Sequence, residues 1–171
     1  MNAVASFHGP IKLRSISTII FAAAALASSP AFADWQNTHW GMSDKELQRS
    51  GLALTRNTDR GKDPGEMHAA YSMRYKAGGV PFTAYLIQDA PGGRLVEVRL
   101  DADGLDDCSS ARGLLASAYG VPESDSPSKI MSITTWRSPE SGNRVAFIRI
   151  GGDSCTVIYQ PLKTPGAAGG L

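Results

Sequence analysis

The chain has 171 residues, 42% of them hydrophobic and 19% charged, with 17 basic against 16 acidic side chains and a formal net charge of +1. So even a balance excludes the strongly basic surface by which proteins hold nucleic acid or an anionic membrane. Two cysteines and three histidines leave little material for a metal centre.

Residues 1–33 read as a signal peptide. Lys12 and Arg14 open it, Ile16 to Ala27 (ISTIIFAAAALA) is apolar, and Ala31-Phe32-Ala33 fits the small-x-small cleavage pattern. The apolar run falls short of the ~20 residues that cross a bilayer. Cleavage is expected after Ala33, so the mature chain begins at Asp34, spans no membrane and is periplasmic or secreted. Without the peptide, 15 basic residues face 16 acidic ones. No cysteine lies at the cut to carry a lipid anchor. Residues 34–163 are then one domain, large enough to fold without a metal.

The first helix is punctuated from Ser43 to Gly51. Ser43 is its N-cap, Glu46 closes a capping box at N3, Met42 and Leu47 hold the hydrophobic-staple positions, and Gly51 is a C′ residue. Just before it, Trp35, His39 and Trp40 bracket the stretch DWQNTHW. The capping box two residues on favours Trp40 as an aromatic plug, with His39 facing solvent; the alternative is a pocket with these three side chains at its rim.

Residues 52–68 collect Gly, Pro and charge and read as a long exposed loop, with a brief extended piece at Leu52 to Leu54. Arg56, Arg60 and Lys62 interleave there with Asp59, Asp63 and Glu66, the pattern of a solvated loop. Long loops also tend to carry function. His68 follows as a candidate general base, without an identifiable nucleophile beside it.

The period then changes to two. Strands are expected over Ala70 to Lys76, Val80 to Gln88 and Arg94 to Asp101. The last places Val96, Val98 and Leu100 on one face and Glu97, Arg99 and Asp101 on the other. Asp106 or Asp107 caps a second helix whose Cys108, Ala111, Leu115 and Ala118 share a face. Gly113 lets it approach the sheet closely, and Gly120 with Pro122 ends it. A polar loop over 123–128 leads to strands at Ile130 to Arg137, Arg144 to Ile150 and Cys155 to Gln160. The Gly- and Ala-rich residues 164–171 are expected to be a disordered tail.

Helix and three strands thus occur twice, in halves of roughly 34–104 and 105–163, as a weak internal duplication of pattern. The expected fold class is α+β, an antiparallel β-sheet with two helices on one face. Cys108 and Cys155 are expected to form a disulfide between helix and sheet, as an even count does in an exported chain. It would close a loop of about 48 residues, worth roughly 4 kcal/mol by chain entropy.

Two stretches carry a resemblance. Trp40-Gly41-Met42-Ser43-x-x-Glu46-Leu47 resembles the helix opening of the SmpA/BamE-like envelope proteins. Leu115, Tyr119-Gly120-x-Pro122 and Trp136 resemble that family's second pattern. Tandem units of this kind also occur in the beta-lactamase inhibitor proteins. The resemblance implies a non-enzymatic envelope protein that acts through contacts. The chain departs from the assembly lipoprotein in lacking a lipidation cysteine.

No catalytic motif competes with this. The chain has no G-x-S-x-G, no H-E-x-x-H and no phosphate loop around Gly61-Lys62. Aligning Gly104 to the glycine of an EF-hand loop puts Arg99 first and Ser110 twelfth, which fails. No cofactor, metal or nucleic acid is expected. The leading expectation is an exported interaction module with an envelope protein partner, using the exposed sheet face and the 52–68 loop. The alternative is a small-molecule binding protein, with Trp35, His39, Trp40, Arg56, Arg60 and His68 as candidate binding residues. A hydrolase using His68 comes last.

Overall fold

The chain enters its fold through a two-rung hairpin, β1 (Asp34–Trp35) with β2 (Thr38–His39), which the sequence pattern does not announce. The computed structural model describes residues 34–151 and 154–163. The expected signal peptide, the tail from Thr164 and the centre of the Gly151 to Ser154 turn lie outside the described residues.

Helix α1 (Asp44–Gln48) follows, held by the expected capping chemistry. The Glu46 carboxylate accepts from the Ser43 backbone N–H at 2.8 Å and from its hydroxyl at 2.7 Å. Five residues cannot sustain a helix alone. Docking of the fully buried Leu47, a burial that contributes about 1.5–3 kcal/mol, keeps it in place. Gly51 takes the expected left-handed conformation, at φ +79°.

Eight strands then form one antiparallel sheet. They are β3 (Thr55–Arg56), β4 (His68–Ala77), β5 (Val80–Gln88), β6 (Leu95–Asp103), β7 (Ser124–Ser126), β8 (Met131–Ser138), β9 (Asn143–Ile150) and β10 (Ser154–Pro161). Their spatial order is β3-β4-β5-β6-β10-β9-β8-β7. Two four-stranded meanders therefore meet where β6 pairs with β10, with Leu100 opposite Val157. With helices α1 and α2 (Leu105–Tyr119), the described residues form an α+β fold.

Four strands per half replace the expected three. The extended piece lies at Thr55–Arg56 rather than Leu52 to Leu54, and the 123–128 segment contains β7. Both short strands are polar and owe their pairing to their neighbours. The Thr134 hydroxyl donates to Asp125 Oδ1 at 2.7 Å, and the Ser124 and Thr135 hydroxyls meet at 2.6 Å.

The alternation expected along β6 breaks at Val96. The register to β5 shifts there, so that Ile87 faces Glu97 while Gln88 faces Leu95. Leu95, Val98, Leu100 and Ala102 are buried, and Val96 is only half-buried.

Helix α2 departs from expectation at both its start and its middle. Its N-cap is Gly104, at φ +96°, while Asp106 and Asp107 lie in the first turn, where the helix dipole favours them. Gly113 makes no close approach, since a Cβ there would meet nothing within 4 Å. The close approach is at Gly78, where a Cβ would stand 2.5 Å from Leu114. At the far end Trp136, buried in β8, donates its Nε1–H to the Gly120 carbonyl at 3.0 Å. This satisfies one of the carbonyls that every helix end leaves open.

Cys108, Ala111 and Leu115 face inward, and one apolar cluster holds them together with Leu47, Leu86, Val98, Val145 and Val157. Ala118 is exposed instead. The Cys108–Cys155 disulfide is formed, with Cα atoms 5.6 Å apart, and ties the first turn of α2 to β10. No helix among the described residues is long and apolar enough to cross a membrane.

Candidate functional site

The aromatic segment before α1 packs inward. Trp35 and Trp40 are buried in the core, and the Trp35 ring meets Tyr75 edge-on at 5.2 Å. Trp40 donates its Nε1–H to Asn143 Oδ1 at 2.9 Å, and the Gly41 N–H donates to the Leu95 carbonyl at 2.8 Å. His39 is exposed. The structure thus separates the three side chains, two inside and one in solvent.

Arg56, Arg60 and His68 are likewise distributed over two clusters. The Tyr71 hydroxyl donates to Asp44 Oδ1 at 2.8 Å and accepts from Gln48 at 2.8 Å and from Arg56 at 3.0 Å. Arg56 also pairs with Asp44 at 3.2 Å. Burial raises the Asp44 pKa, but the hydrogen bonds from Tyr71 and Arg56 outweigh it and hold the carboxyl below its usual range. In the second cluster Arg60 pairs with Asp63 at 2.9 Å, and the His68 Nδ1 lies 2.8 Å from Arg60 and 3.2 Å from Asp63. The Ala69 N–H, helped by Arg60 and His68 against some desolvation, keeps the Asp63 carboxyl low. Arg56 is therefore paired with Asp44 and Arg60 with Asp63, so neither arginine offers the loop a free positive charge.

The loop itself is docked rather than freely exposed. Lys62 reaches Asp101 on β6 at 3.1 Å and lies 5.2 Å above the Tyr85 ring, while Thr156 donates to the same aspartate at 3.0 Å. The bond to Asp101 raises the Lys62 pKa. These residues belong to the sheet face opposite Leu86 and Val98, because side chains alternate along a strand. On that face Ile87 and Glu97 are buried as well, with Glu97 accepting from Arg99 at 3.1 Å and from Gln160 at 2.9 Å. The first meander thus has a polar, internally bonded outer face.

The second meander presents the opposite chemistry. Met131 pairs with Ile150 and Ile133 with Ile148, all on the face away from Thr134 and Phe147. Ile150 is 58% exposed and Met131 44%, and Ile133 and Ile148 are half-buried. Comparison of the chain with protein-family models, curated proteins and solved structures finds no match. The candidate site therefore rests on geometry. It is the aliphatic band Met131, Ile133, Ile148 and Ile150, on the outer face of β8 and β9.

Sequence reasoning missed this band, although a signal for it exists. In IMSITTWR and RVAFIRI apolar residues occupy both alternating sets, Trp136 and Phe147 on one and Ile133 and Ile148 on the other. Strands apolar on both faces require cover on both. Among the described residues Arg144, exposed opposite Arg137 at the other end of the same face, has no ion pair, while Arg137 pairs with Glu123 at 3.3 Å.

Proposed function

We propose that the protein is an exported, non-enzymatic contact module of the cell envelope, periplasmic or secreted, whose partner is a protein that covers the outer face of β8 and β9. The observation that carries this reading is the exposed aliphatic band. Contiguous apolar surface bordered by polar residues marks an interaction site. Here Thr156 and the exposed Arg144 supply such a border, the arrangement of an apolar centre with a polar rim. Arg144, without an ion pair among the described residues, fits a partner with acidic residues at its edge.

Other features support the same picture. The disulfide suits an oxidising compartment. Both helices contribute to one apolar cluster, which supports their lying on one face of the sheet. Each helix is followed by a four-stranded meander, which supports an internal duplication and agrees with the resemblance to SmpA/BamE-like proteins. His68 meets Asp63 and Arg60 through Nδ1, and no serine, threonine or cysteine among the described residues hydrogen-bonds to it, which weighs against a nucleophile–base pair.

Site-specific photo-crosslinking in cells tests the proposal. A crosslinker at Ile148 or Ile150 should capture a defined envelope protein, and one at Ser110, on the exposed side of α2, should not. Ile150→Asp should abolish capture while stability stays within about 0.5 kcal/mol, as for surface changes generally. Equal capture from Ser110, or capture unaffected by Ile150→Asp, would count against the band.

A further inference from the structure

The two flanks of α2 carry different cavities. On one flank an apolar cavity of about 230 Å³ lies under Tyr75, Tyr119 and Tyr159 and is walled by core residues such as Phe82 and Leu100. On the other flank a cleft of about 440 Å³ separates α2 from the β7–β9 part of the sheet. Its chemistry differs from that of the first cavity and from that of the aliphatic band on the opposite sheet face.

The floor of this larger cleft is set by strand register. Ser132 pairs with Arg149 and Thr134 with Phe147, so these four side chains form a two-by-two patch on the inner face of β8 and β9. Ser109, Arg112, Gly113 and Ala116 follow at i, i+3, i+4 and i+7 along α2 and make one wall. Asp125 on β7 makes the other. Arg112 spans the cleft and pairs with Asp125 Oδ2 at 3.0 Å, while Thr134 donates to Asp125 Oδ1 at 2.7 Å. Both carboxylate oxygens are therefore engaged, and the charges of Asp125 and Arg112 cancel.

Arg149 remains. It is half-buried on the floor, and no hydrogen bond or ion pair joins it to the described residues. A partly desolvated guanidinium with a serine hydroxyl beside it is matched by an oxyanion, which it can bind through two parallel hydrogen bonds. Phe147, Ala116 and Cys108 line the same space with apolar surface. The volume lies within the ordinary range for small-ligand sites, which combine apolar walls with a few placed polar groups. Gly113 keeps the wall open, because any side chain there would project into empty space.

We infer that this cleft is a binding site for a small organic monoanion, which sets one carboxylate on Arg149 and Ser132 and lays an apolar body along Phe147 and Ala116. The site is independent of the partner face proposed above, since it opens on the other side of the sheet.

The test uses the oxidised protein with 4-phenylbutyrate, the uncharged 4-phenylbutanol and inorganic phosphate, followed by amide chemical shifts and melting temperature. Phenylbutyrate should saturate, raise the melting temperature by mass action, and shift the amides of Ser109, Gly113, Ser132 and Arg149. Arg149→Gln should weaken it about tenfold or more, as loss of a charge-assisted hydrogen bond does. Gly113→Leu should fill the cleft and abolish binding while the protein melts no lower than the parent, which separates occlusion from misfolding. Phosphate should bind more weakly for want of apolar contact. The inference is overturned if no probe gives saturable shifts, if the alcohol binds as well as the acid, or if the shifts map to the tyrosine-lined cavity instead.

Discussion

The Trp40 indole N–H and the Asn143 side-chain oxygen, 103 positions apart in the chain, form a buried hydrogen bond of 2.9 Å. It fastens the segment ahead of α1 to the start of β9, one half of the chain to the other. Trp40→Phe keeps most of the apolar volume but leaves the Asn143 oxygen without its donor. We expect a loss of about 1–3 kcal/mol, the usual penalty for an orphaned buried polar group. Urea unfolding of Trp40→Phe, Asn143→Leu and the double variant checks this. The double variant should lose less than the sum of the singles, and simple additivity would mean that the bond contributes nothing.

The Cys108–Cys155 bridge holds the first turn of α2 against β10. Cys155→Ser or reduction should lower stability by about 2–4 kcal/mol, within the range for native disulfides. Identical melting of oxidised and reduced protein would show that the bridge stabilises nothing.

Acid should act on the 57–69 segment through Asp63, whose carboxyl sits below its ordinary value of 3.8, held there first by the Ala69 N–H. A carboxylate with a depressed pKa contributes stability that is present above the ordinary value and lost as pH falls through the lower folded one. Asp63→Asn should therefore be less stable than the parent near neutral pH, and the gap should close below pH 3.8. Asp44, lowered by Tyr71 and Arg56 against its own desolvation, adds to the slope in the same direction. Unfolding midpoints across the acid range test this, and a gap that stayed constant with pH would refute the assignment.

The residues of the candidate sites were legible to different degrees. Trp40 reads as a plug because Ser43 and Glu46 fix a helix start just beyond it, and that relation spans only a few positions. Arg56, Arg60 and His68 read as candidate binding residues because sequence shows charge without pairing. Asp44 and Tyr71 claim Arg56 from 12 and 15 positions away, which no local pattern reveals. Arg149 attracted no attention at all, since its meaning lies in a cleft that α2 and β7 close over it from distant parts of the chain.

By itself the sequence determined what depends on neighbours within a turn or a hairpin. It determined the capping box at Ser43, the left-handed Gly51, the end of α2 at Gly120 and the strands β5 and β8–β10. Those features follow from backbone sterics and from hydrogen bonds between residues a few positions apart. Only the tertiary structure decided that β3 and β7 exist, that β6 pairs with β10, that Lys62 reaches down to Asp101, and that Ile133 and Ile148 face outward. Strands of two or three polar residues have no propensity of their own and form because a neighbour offers an open ladder. Whether an apolar strand face is covered likewise depends on which distant segment reaches it.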